Sequence, residues 1–246
     1  MNKNKVELIG FYGSDEAVAL SAWTSTSREL DDDKRGRIPK MLEILWSNRH
    51  ETPFEKATVH FLVDTEIASH IHLLKHRISS LNGESARYKE IKEDKFYIPE
   101  DWKQHYVSKN IYVDGVEEPF YNDVSSWADV LEDYTKIGNQ LYHQCLEDLT
   151  PILGRKRAKE SARFFKTYNS QIQADVSFNI RSFANFIKLR NSEHAQIEIR
   201  EIAQEMWDIV QTQTEGKFES ILKVIDERIK FEAKCEKYKD LINNLD

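Results

Sequence analysis

Apolar and polar positions change period several times over the first ninety or so residues. Residues 6–12 read as a strand, and 15–24, short and Ala-containing, as a helix. Over 35–47, Ile38, Met41, Leu42, Leu45 and Trp46 recur at helical spacing, with Pro39 tolerable only near a first turn. The stretch His50-Glu51-Thr52-Pro53-Phe54-Glu55 ends that helix, because Pro53 restricts Thr52 to extended geometry. Ala57, Val59, Phe61 and Val63 then alternate with Thr58, His60 and Asp64, the period of a half-buried strand. Ile67, Ile71 and Leu74 share one face of a helix over 66–74, after which 75–88 loses all periodicity.

Residues 106–113, running into Asp114-Gly115, read as a strand entering a turn. From about Ser125 the pattern is helical almost to the end. Trp127, Val130, Leu131, Tyr134, Ile137, Leu141, Cys145 and Leu149 form one stripe, and further helical stripes cover 157–173, 182–189, 193–210 and 218–238. There is no internal repeat, linker or low-complexity tract. The expectation is an α+β, helix-rich single domain over 1–246.

Composition supports this picture. Apolar residues make up 40% and charged residues 31%, while 8 Gly and 5 Pro argue against long disorder and against a turn-dense β-sandwich. A net charge of −7 counts against a duplex nucleic-acid binder, and leaves room for a local basic pocket holding one small phosphorylated ligand. No window reaches the length of a membrane span, and the apolar run near the N-terminus is too short for a signal peptide. Cys145 and Cys235 do not make a disulfide framework. These features predict a cytoplasmic protein with reduced thiols and no membrane or nucleic-acid partner.

Two clusters carry candidate chemistry. The segment from Lys75 to Tyr88 packs three cationic side chains, an imidazole, hydroxyls and an amide into one non-periodic loop, the donor set that a phosphate or pyrophosphate needs. A solvated surface loop is the plainer reading of the same residues. The second cluster is Asn179, Arg181, Asn185 and Arg190, followed by His194, Gln196 and Glu198. Arg181 and Asn185 share a helical face while Phe183, Phe186 and Ile187 fill the other, so the helix either lines a polar pocket or is simply amphipathic. His50, His60, His70, His72 and His76 show no metal-binding spacing, so no metal is expected, and His60 reads as a sheet residue. Neither a dinucleotide fingerprint, a P-loop nor a nucleophile elbow is present.

In this order the clusters resemble the flavin-dependent thymidylate synthases. That family's Arg-His-Arg, seven residues, Ser, then Arg-Tyr is matched by Lys75-His76-Arg77, Ser85 and Arg87-Tyr88. Its His-Glu/Ser-Thr/Ser-Pro-Phe-Glu-His is matched by residues 50–56 with Lys56 in the last place, and Phe96-Tyr97-Ile98-Pro99 matches Phe-Tyr-x-Pro. Asn179-Ile180-Arg181-Ser182, Asn185-Phe186, Leu189-Arg190 and His194-Ala195-Gln196 with Glu198 complete the downstream block. The motif-bearing region covers about 15–210, leaving a helical C-terminal extension from about 215 to 246.

The resemblance implies a central, mostly antiparallel sheet flanked by helices, in a homotetramer whose active sites are shared between subunits. FAD would contact Thr52, Lys75, His76, Arg77, Gly83, Asn179, Arg181 and Asn185. Deoxyuridylate (dUMP) would be held by His72, Lys75, Gly83, Glu84, Ser85, Ala86, Arg87, Arg163 and Arg190, with Arg190 as the catalytic residue. The implied reaction is reductive methylation of dUMP to dTMP. Methylenetetrahydrofolate, a folate co-substrate, gives the carbon, and NADPH re-reduces the flavin. Folate-only synthases instead attack with a cysteine thiolate, for which neither Cys145, on an apolar stripe, nor Cys235, among charges, is suited. Lys75 for Arg, Gly83 where relatives often have Glu, and Lys56 for His leave open a different 5-substituted product, such as hydroxymethyl, or a non-catalytic flavin- or nucleotide-binding homologue.

Overall fold

A computed structural model describes residues 3–85, 87–91, 93–112, 114–115 and 117–243. In chain order it contains β1 (Lys5–Tyr12), α1 (Asp15–Trp23), α2 (Asp32–Ser47), β2 (Thr58–Glu66), α3 (Ile67–Leu74), β3 (Ser80–Gly83), α4 (Trp127–Leu153), α5 (Arg155–Ala162), β4 (Gln171–Asn179), α6 (Ile180–Arg190), α7 (Ile197–Gln213) and α8 (Glu219–Asn243). The four strands form one antiparallel sheet in the order β1-β2-β4-β3. The β2–β4 register is set at its two ends, where the Ile180 N–H donates to the Ala57 carbonyl at 2.9 Å and the Ile67 N–H to the Ser170 carbonyl at 3.1 Å. This is the α+β, helix-rich class expected from the sequence.

The chain divides into two compact units. One comprises residues 1–5, 64–73 and 83–174, and the other 6–63, 74–82 and 175–246. In the second unit, Val59, Phe61 and Val63 of β2 and Val176 and Phe178 of β4 are buried. Phe183 and Phe186 of α6 pack on them, with ring centroids 5.8 Å apart for Phe61–Phe183 and 5.2 Å for Phe178–Phe186. Helix α8 is tied down at its start, where the Ser220 and Ile221 N–H groups donate to the Asp15 carboxylate at 2.7 and 3.1 Å.

Five readings of the sequence are corrected. Helix α2 begins at Asp32, because Asp31 caps it by accepting from the Lys34 N–H at 2.7 Å, so Pro39 lies inside the helix rather than in its first turn. Residues 106–113 are not a strand: Tyr106 and Ile111 make only isolated bridges to Ser126 and Tyr121, and Val113 lies outside the described residues. The helix expected over 157–173 stops at Ala162. Its last residues instead open β4, which buries Ala174, Val176 and Phe178 on one side and exposes Gln173 and Asp175. Within the non-periodic 75–88 stretch, 80–83 form the short edge strand β3.

The fifth correction concerns α4, in the first unit. Its capping box, Ser126 with Asp129, starts the helix where expected. The buried face, however, is Ala128, Thr135, Gly138, Asn139, Tyr142 and Leu146, whereas Trp127, Tyr134, Ile137 and Leu141 of the apolar stripe are 39%, 63%, 42% and 45% exposed. Close approach explains the choice of face. A Cβ at Gly138 would lie 2.6 Å from the Phe165 carbonyl oxygen, so that side of α4 must stay small. Polar partners complete it: Lys166 Nζ donates to Asp94 at 2.6 Å and to Asn139 at 2.8 Å, and sits 4.5 Å from the Tyr142 ring centroid.

Candidate active site

Helix α6 starts where β4 ends, and Asn179 makes the transition by accepting from the Ser182 N–H at 2.8 Å. With Phe183, Phe186 and Ile187 turned into the core, Arg181, Asn185 and Arg190 remain on the outer side of the helix. They line a cavity of about 520 Å³ with Lys75, His76, Arg77, Glu51 and Glu55. That volume is in the range of small-molecule sites. Four permanent cations, Lys75, Arg77, Arg181 and Arg190, face two carboxylates there, so the lining favours an anion.

The central contact joins the two sequence clusters. Arg190 Nε donates to His76 Nε2 at 3.0 Å, across 114 positions of chain. A guanidinium has no lone pair to give, so His76 accepts here as a neutral imidazole with its proton on Nδ1. The edge of its ring rests against Phe186, with centroids 5.0 Å apart. Only Nε of Arg190 is spent in this bond, which leaves both Nη groups as donors.

Arg181 is held differently. Its Nε donates to Glu51 at 3.0 Å and its Nη1 to Glu55 at 2.6 Å, and Glu55 first, with Glu51 behind it, pushes its pKa up. Among the described residues Nη2 donates to neither carboxylate. Glu51 and Glu55 had no predicted role; a Glu on either side of Thr52-Pro53-Phe54 gives no sign in sequence that both turn to one arginine. Thr52 opens the 3-10 turn Thr52–Lys56 between them and is exposed.

The remaining predicted residues belong to the first unit. The loop after β3 is folded on Ser85: its Oγ accepts from the Arg87 N–H at 3.3 Å, and its carbonyl from the Tyr88 and Lys89 N–H groups, both at 3.0 Å. Glu84 pairs with Lys89 and with the Gln173 backbone. Arg87 Nε donates to Glu160 at 3.1 Å, which holds that carboxylate below its usual range. Arg163 is exposed in the 3-10 turn Arg163–Phe165, and His72 is half-buried on α3. Ala86 lies outside the described residues.

Gly83 has a neighbour that the sequence did not reveal. A Cβ there would lie 2.8 Å from His70 Cε1 and 3.0 Å from its Nε2. His70 is buried, its Nδ1 has no hydrogen-bond partner among the described residues, and burial pushes its pKa down, disfavouring the charged ring. His60, the histidine read as a sheet residue, pairs with Asp175 at 2.6 Å. Among the described residues no group of three or more His, Cys, Asp or Glu is placed to hold a metal ion, and no helix is long and apolar enough to cross a membrane.

The family profile of the thymidylate synthase complementing protein matches residues 7–214. A flavin-dependent thymidylate synthase from Pseudothermotoga lettingae is 29% identical over 91% of this chain and 92% of its own. Another, from Thermosipho melanesiensis, is 30% identical over 91% and 92%. Among solved structures, the UMP/dUMP methylase PolB from Streptomyces cacaoi bound with 5-Br UMP superposes with a TM-score of 0.68 at 24% identity, covering 91% of this chain and 96% of that one. The same methylase bound with 5-Br dUMP gives 0.63 at 27% identity, over 85% and 90%.

Proposed function

Because the chain belongs to the family of the thymidylate synthase complementing protein, we propose that it is a flavin-dependent thymidylate synthase that methylates dUMP reductively to dTMP. Methylenetetrahydrofolate is the carbon donor in this reading and NADPH the source of reducing equivalents. When bound, reduced FAD supplies the hydride that completes the methyl group. The observation that carries the reading is the Arg190–His76 pair inside a cation-lined cavity.

The donor set suits an anionic dinucleotide. Lys75, Arg77 and the uncommitted Nη2 of Arg181 offer charge and N–H groups to phosphate oxygens, and Thr52, His76, Gly83, Asn179 and Asn185 complete the assigned flavin contacts. For dUMP, Ser85 and the N–H groups of its turn are suited to phosphate. Arg87 and Arg163 supply charge, and His72, Lys75, Gly83, Glu84 and Ala86 frame the nucleotide. Arg190 acts on the pyrimidine. Its Nη groups, without a hydrogen-bond partner among the described residues, would meet the uracil edge and stabilise the ring deprotonated at N3, which raises electron density at C5 where the carbon attaches. His76 takes Arg190 Nε and so fixes the plane of the guanidinium. The exposed apolar stripe of α4 supports a homotetramer with shared sites, since monomeric proteins rarely leave such a surface open. Reduced thiols at Cys145 and Cys235 accord with a cytoplasmic enzyme.

The test is product analysis with NADPH, methylenetetrahydrofolate and dUMP on protein that purifies yellow with FAD. The expected product is dTMP by mass. Arg190→Ala should lower turnover by roughly a hundred- to a thousandfold with circular dichroism unchanged, the usual effect of removing one preorganised electrostatic donor. A 5-hydroxymethyl product, or full turnover in the Ala variant, would overturn the reading.

A further inference from the structure

Glu51 is a nearly sequestered carboxylate, with its side chain 14% exposed, and each of its oxygens has its own arginine. Arg181 Nε takes Oε2 at 3.0 Å, and Arg228 Nη1 takes Oε1 at 3.1 Å. Arg228 comes from α8, beyond residue 214 where the family match stops. Its own side chain is 15% exposed and held through Nε and Nη1: Nη1 also donates to the Trp46 carbonyl at 2.8 Å, Nε donates to Glu232 at 3.1 Å, and the guanidinium lies 5.3 Å from the Trp46 ring centroid. Glu232 in turn takes Arg49 and Lys188. A planar guanidinium fixed on several sides imposes one orientation on the carboxylate it binds.

We infer that Arg228 is a positioning residue for the flavin site, acting through Glu51: by holding Oε1 it fixes Oε2, and with it the Arg181 guanidinium that faces the cofactor. The C-terminal helix thereby belongs to the active-site framework. This rests on the reading of Arg181 as a flavin contact. Without Arg228 the Glu51 carboxylate is free to rotate toward Arg49, now 3.8 Å away, and Arg181 keeps only Glu55. A residue that merely packs α8 on α2 would not transmit its loss to Arg181.

Arg228→Met keeps the alkyl stem over Trp46 and removes the fork. Its crystal structure without flavin should show the Arg181–Glu51 bond broken. In solution, FAD affinity, read from quenching of flavin fluorescence, should fall about tenfold, the order of an effect relayed through one hydrogen-bonded pair. Glu51→Gln should weaken FAD to a similar degree, and the double variant should bind no worse than the weaker single one, because both act on one path. An intact Arg181–Glu51 bond in Arg228→Met, or losses that multiply in the double variant, would overturn the inference. If Arg228→Met does not fold, Arg228→Lys, which keeps charge without the planar fork, reads the same bond. Wild-type protein that takes up no FAD would sink the flavin assignment, and the crystal contact alone would then decide whether Arg228 sets Arg181.

Discussion

Helices α4 and α6 both carry a clear apolar stripe, and they use it in opposite ways. In α6 the stripe is core: Phe183, Phe186 and Ile187 are buried, and the polar face lines the candidate site. In α4 the small and polar face is buried, and Trp127, Tyr134, Ile137 and Leu141 are left outside. Periodicity tells that a face will be covered but not by what. Helix α6 satisfies its own stripe, whereas in the proposed assembly another copy covers that of α4.

The contrast can be broken at several points. Phe183→Ala should cost about 3–5 kcal/mol, the loss expected on emptying a core aromatic site, read from urea unfolding; a loss below about 1 kcal/mol would mean that the α6 face is not core. Ile137→Glu combined with Leu141→Glu should change the unfolding of the isolated subunit by only about 0.5 kcal/mol, as surface substitutions do. It should, however, convert the assembly to smaller species in sedimentation. A tetramer that persists would detach the stripe from assembly. Smallest of all, Cys145→Ser with Cys235→Ser should leave product formation unchanged, since Cys145 only packs against the Tyr142–Leu146–Ala158–Ala162 cluster. Loss of product in that double variant would point to thiolate chemistry.

Much of this architecture was legible in the sequence, and the failures have physical causes. Strand β2 and helix α6 were readable because one face of each is continuously apolar; α3 was readable as a helix, although it buries Ser69, His70 and Leu73 and leaves Leu74 of its apolar face exposed. Strand β4 was not, because its outward positions, Gln173 and Asp175, and the buried Gln171 give it the polarity of a helix surface. Strand β3 has only four residues, too few to show a period. The start of α2 was hidden by the polar Asp32-Asp33-Lys34 run, although Asp31 is itself a good cap. At the site, motif order brought Lys75–Arg77 and Arg190 together before any coordinates did, and the Arg190–His76 bond joins those clusters. What the motifs could not carry was the second layer. That Glu51 bridges Arg181 and Arg228 depends on tertiary placement of a C-terminal helix whose charged positions look alike in sequence.

The pairing of Gly83 with His70 constrains how this chain can change over time. An imidazole already occupies the space into which a side chain at 83 would grow. Any lineage moving from glycine to a carboxylate at 83 must therefore first shrink or displace the residue at 70. The reverse route must empty 83 before a histidine is admitted. The two positions share one volume, so a side chain at 83 and the imidazole at 70 are in direct steric competition.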